Sequence, residues 1–125
     1  MAANMKSAFD SLQHMLAECA DQLAIKIDTP TEYTLVTRSP SPFPQHKGQP
    51  MYFGSVRFGK AYVSYHLMPL YMCPKLTERI SQPLKKRMQG KTCFNFKSAP
   101  DPDLLLDLKR LTADSLGDWA ERKWL

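Results

Sequence analysis

The sequence predicts an α+β domain: a largely antiparallel five-stranded sheet with N-terminal and C-terminal helices packed on one face. Three observations lead there. A β-hairpin pattern fills Met51 to Met68, an amphipathic helix pattern lies on each side of it, and short alternating runs supply the remaining strands. No internal repeat or second apolar core interrupts the chain, so residues 1–125 read as a single domain.

The hairpin run is MYFGSVRFGKAYVSYHLM. Gly59-Lys60 at its middle is the type II′ pattern, whose twist suits paired strands. That loop sets Val56 opposite Val63, Ser55 opposite Ser64, and Arg57 opposite Tyr62, where a cation–π contact is expected. Opposed residues share a face, and neighbours alternate. One face carries Tyr52, Gly54, Val56, Phe58, Ala61, Val63, Tyr65 and Leu67, and is expected against the core. The other carries Phe53, Ser55, Arg57, Tyr62, Ser64 and His66, and is expected toward water or a cleft.

The other elements follow in chain order. Phe9, Leu12, Met15, Leu16, Cys19 and Leu23 form one helical stripe, predicting a helix from about Ser7 to Gln22. Leu23 to Ile27 alternates as a short strand, and Asp28-Thr29-Pro30-Thr31 is turn chemistry. Tyr33 to Arg38 completes a second hairpin. Ser39 to Pro50 holds four prolines and reads as a surface loop. Leu76 to Ile80 and Pro83 to Gln89 read as short helices, the second ended by Gly90. Thr92 to Lys97 alternates as the fifth strand, with Phe94 and Phe96 inward. Asp101-Pro102-Asp103 is an N-cap, a proline at the first helical position and an acid in the first turn. Leu104, Leu105, Leu108, Leu111, Thr112, Ser115 and Trp119 form the buried stripe behind it.

Composition narrows the class. Apolar residues make up 43% of the chain and the net charge is +5, an ordinary globular balance with mild affinity for anions. Cys19, Cys73 and Cys93 are odd in number and lack CxxC spacing, which points to reduced thiols and a cytoplasmic location. No signal-peptide layout and no membrane-length apolar run is present, so no membrane partner is expected.

The segments GQPMYFGSVRFGKAYVSYHLMPLYM and KRMQGKTCFNF, followed by an Asp-led leucine helix, resemble the YdhG-like domain family of unknown function. The resemblance spans roughly residues 48 to 116. It implies a small intracellular α+β protein. Some members of that family are described as frataxin-like iron chaperones, so iron enters as a cofactor by resemblance only. Such a role relies on an exposed acidic ridge of hard oxygen ligands. Here the nearest approach to a ridge is Asp101, Asp103 and Asp107, which suit helix capping equally well.

Two constellations are candidate sites. The mixed sheet face offers Phe53, Ser55, Arg57, Tyr62, Ser64, His66, Cys93 and Asn95, with Lys97 beside them, for a small anionic or planar ligand. Ser64 and His66 share that face as half of a nucleophile–base pair, but no orienting acid or catalytic motif accompanies them. The segment from Lys75 to Lys97 carries seven cations against Glu78 alone, and Lys85, Lys86, Arg87 and Lys91 are its candidate anion-binding residues. His14, His46 and His66 have no ligand-spaced partners, so no metal site is assigned. The sequence therefore supports a non-enzymatic intracellular binding or carrier domain. Anion, phosphate or nucleic-acid binding through 75–97 is the alternative, and a small enzyme using Ser64 and His66 is the third reading. An open sheet face or an edge strand would also support a homodimer.

Overall fold

The computed structural model describes residues 2–125. Helix α1 (Ala2–Ala17) leads into strands β1 (Ala24–Thr29), β2 (Glu32–Pro40), β3 (Pro50–Phe58) and β4 (Val63–Leu67). Three four-residue helices follow: α2 (Pro69–Met72), α3 (Pro74–Thr77) and α4 (Gln82–Lys85). Strands β5 (Met88–Gln89) and β6 (Cys93–Phe96) precede helix α5 (Pro102–Glu121). The sheet is antiparallel at every pairing, and its strand order is β1-β2-β3-β4-β6-β5.

The α+β class and the antiparallel sheet stand, but the strands number six rather than five. The extra strand, β5, lies inside the stretch read as a helix ending at Gly90. Two residues are too few to show an alternation. Gly90 (φ 74°) instead turns the chain from β5 into β6 in a left-handed conformation that glycine adopts freely. The proline-rich stretch is also shorter as a loop than expected. Strand β2 runs on to Pro40, a short 3-10 helix occupies Pro44–His46, and β3 starts at Pro50.

The central hairpin pairs Val56 with Tyr65, Arg57 with Ser64 and Phe58 with Val63. This is two residues away from the expected register. Gly59 to Tyr62 forms the loop, closed by the Gly59 N–H donating to the Tyr62 carbonyl at 2.8 Å, and Gly59 is not left-handed as a type II′ turn requires. A shift of two preserves the alternation, so Val56, Phe58, Val63, Tyr65 and Leu67 still share the inner face.

A bulge changes the other end of β3. Leu35 pairs with Gly54, but Val36 pairs with Tyr52, so β3 carries one extra residue at Phe53. Alternation resets there. Phe53 is fully buried, edge-on to Trp119 at 5.4 Å, and Tyr52 turns to the opposite face. Phe53 is therefore a core residue and not part of the mixed face, and Tyr52 takes its place there.

Helices α1 and α5 cover one side. Phe9 of α1 stacks on Phe58 at 5.2 Å, and Tyr65 of β4 meets Thr112 of α5 at 2.7 Å. Helix α5 starts as expected: the Asp101 carboxylate accepts the Leu104 N–H at 2.9 Å, with Pro102 at the first helical position. Its buried stripe also includes Leu116. Beyond α5 the chain folds back through left-handed Lys123 (φ 63°), setting Trp124 edge-on to Trp119 at 5.8 Å and to Phe43 at 5.3 Å.

Candidate functional site

The face of the sheet opposite α1 and α5 carries two rows of polar side chains, each row set by direct cross-strand pairing. Glu32, Arg57, Ser64 and Asn95 make one row. Thr34, Ser55, His66 and Cys93 make the next, with Gln89 opposite Cys93 at the edge. Because opposed residues share a face, five strands deliver these groups to one surface.

Hydrogen bonds knit the rows. The Ser64 hydroxyl donates to Asn95 Oδ1 at 3.1 Å, and Asn95 Nδ2 donates to Gln89 Oε1 at 2.6 Å. The Cys93 thiol points at the same Asn95 oxygen, 3.5 Å away. Thr34 donates to Glu32 at 2.8 Å, and Arg57 Nε lies 3.5 Å from the other Glu32 oxygen. The Tyr52 and Ser55 hydroxyls are 2.6 Å apart, so Ser55 is covered although it belongs to an uncovered face. Lys97 lies over the Tyr62 ring at 5.5 Å, where Arg57 had been expected; the two-residue register shift puts Arg57 opposite Ser64 instead.

Titration follows from this burial. Desolvation, helped by the nearby Arg57 charge, lowers the pKa of His66 below its ordinary value. Desolvation raises the Cys93 thiol, with Ser64 opposing the shift, and raises the Tyr52 phenol. At neutral pH these three are uncharged, and the charged side chains of the face are Arg57, paired with Glu32, and Lys97.

Ser55, Arg57, Tyr62, Ser64, His66, Cys93 and Asn95 thus come to one surface, and Phe53 does not. Glu32, Thr34, Tyr52, Gln89 and Thr92 join it. Thr34 was readable from the alternation in YTLVTR once a partner strand was known, whereas Tyr52 needed the bulge. Ser64 and His66 form no dyad. Ser64 is committed to Asn95, and His66 Nδ1 lies 3.3 Å from the Thr92 hydroxyl. Five grooves among the described residues lie elsewhere, and none of those five includes a residue of the two rows.

The four expected anion-binding residues divide between two grooves. Lys86 and Arg87 border a groove of about 660 Å³ with Asp101, Asp103 and Asp107 on its other side. Lys85 and Lys91 border a separate groove of about 490 Å³. A single four-cation site is not formed.

The residues present do not fit an iron carrier built on an acidic ridge. Among the described residues, no group of three or more His, Cys, Asp and Glu side chains is placed to hold a metal ion. Asp101 is already engaged as the α5 cap. The three cysteines are free thiols, and among the described residues no helix is long and apolar enough to cross a membrane.

No family model, curated protein or solved structure matches this chain.

Proposed function

We propose that this chain is a non-enzymatic binding domain that receives a small planar anion on the polar face of its sheet. One observation carries the reading. The two cross-strand rows place Arg57, His66 and Asn95 together on a face that neither long helix covers, with Ser64 holding Asn95. Tyr52 and Tyr62 add aromatic surface, and Lys97 adds a second cation. Donors fixed by their own neighbours bind without paying again for their ordering. Ser64 engaged with Asn95, and His66 with Thr92, favour binding over catalysis. Iron carriage is not part of this reading, since among the described residues no group of three or more His, Cys, Asp and Glu side chains is placed to hold a metal ion.

The test is a backbone-amide NMR titration with aromatic carboxylates, benzoate first. Shifts concentrated on Arg57, Ser64, His66 and Asn95, weakened in Arg57→Gln, are expected. Absence of shifts on this face, or equal shifts in Arg57→Gln, overturns the reading.

A further inference from the structure

Tyr71, in helix α2, has 65% of its surface exposed, more than Ile25 (52%), Leu106 (44%) or Tyr62 (40%). It stands at the rim of the groove of about 490 Å³, a volume suited to one small organic group. Buried Leu70 and Ile80, with Met88, give the groove an apolar lining. Lys85 and Lys91 line it too, and no acid does. The neighbouring grooves differ. One sets Lys86 and Arg87 against three aspartates, and another sets Arg79 and Arg122 among Asp114, Asp118 and Glu121. Among the described residues, neither Lys85 nor Lys91 has a carboxylate within ion-pair distance.

An exposed phenol beside an apolar slot with two unneutralised ammonium groups matches an unpaired nucleobase and its flanking phosphates. Stacking satisfies the ring and the slot, and the lysines meet the phosphates. A base within a duplex has both faces covered and has no way onto Tyr71. An acidic peptide would meet the two lysines but brings no flat ring of its own to stack on Tyr71 and fill the apolar slot. We propose that the Tyr71–Lys85–Lys91 groove binds single-stranded nucleic acid, one base stacking on Tyr71 with its phosphates on the two lysines. This site is separate from the polar sheet face and uses none of its residues.

Fluorescence anisotropy of a labelled oligo-dT strand with the full chain, over rising salt, tests it. Binding at low salt is expected, and Tyr71→Ala should weaken it by about five- to a hundredfold, the range for loss of one stacked base. Lys85→Gln and Lys91→Gln should each flatten the log–log salt slope by about 0.7, as one lost phosphate contact on a single strand does. Lys26→Gln, on the far edge strand β1, removes the same charge and should leave both quantities unchanged. All four positions are exposed, so folding is not at stake. No binding at low salt overturns the proposal. So does equal affinity of the Tyr71→Ala protein, equal competition by duplex, or equal displacement by poly-glutamate.

Discussion

A methyl group on Gly54 would lie 2.8 Å from the carbonyl oxygen of His66 on the neighbouring strand. Backbone fills that space, and a rotamer change cannot clear it. Leu67 and Leu16 close the remaining sides at 3.4 and 3.7 Å. Gly54→Ala should therefore destabilise the fold by about 1–3 kcal/mol, the usual range for overpacking. A urea midpoint unchanged from the parent protein would show that β3 and β4 separate more easily than this contact implies.

The bulge in β3 makes an unequal pair of two adjacent aromatics. Phe53→Ala empties a fully buried site against Trp119 and should cost about 3–5 kcal/mol. Tyr52→Ala removes a half-buried ring whose hydroxyl meets Ser55, and should cost clearly less. Equilibrium unfolding of the two variants decides the matter. A larger loss at Tyr52 would restore the unbroken alternation and remove the bulge.

The Thr112 hydroxyl donates to the Leu108 carbonyl at 2.8 Å, so its contact with the Tyr65 phenol at 2.7 Å has Tyr65 as donor. That direction makes the two truncations unequal. Tyr65→Phe gives up one hydrogen bond and should cost about 0.5–1.5 kcal/mol. Thr112→Val leaves a buried phenol donating to nothing and should cost more, about 1–3 kcal/mol. Equal losses in thermal or chemical unfolding would argue that the phenol finds another acceptor.

His66 should make acid destabilising. Its folded pKa lies below the ordinary 6.5, through desolvation first and Arg57 second. The unfolded chain then binds more protons between the two values, so stability falls as the pH is lowered through that window. The contribution is complete above pH 6.5 and declines as acid is added below it, down to the folded pKa. Stability curves at about pH 7.5 and 5.5 should converge more closely for His66→Gln than for the parent. An identical pH dependence in the two proteins would remove His66 as the source.

The legible parts of the fold were those with a long repeat or a fixed chemistry. The α5 start was readable because Asp101, Pro102 and Asp103 each suit one cap position. The inner face around Val56, Val63 and Tyr65 was readable because a two-residue register error leaves alternation intact. The bulge at Phe53 leaves no mark in composition, since two aromatics in sequence fit either face. The same holds for β5, whose two residues carry no period. For the candidate site, seven of the eight expected sheet-face residues do share a surface, and Phe53 alone departs. The basic segment was legible as charge but not as shape. Lys85 ends α4, Lys86 and Arg87 follow it, and Lys91 comes after β5; Lys85 and Lys91 border one groove and Lys86 and Arg87 another, a division that side-chain type does not encode.

The turn at Lys123 brings two indoles within 5.8 Å, their planes 76° apart, and Trp119 Nε1–H has no hydrogen-bond partner among the described residues. Chromophores that close exchange excitation, and their oblique arrangement gives the coupling a sign. The chain therefore carries an intrinsic optical marker. A paired band in the ultraviolet circular dichroism should appear while Trp124 is docked and collapse when it swings away, even if α5 stays helical. Local release of the last turn would then be separable from global unfolding in the same sample, with no label attached.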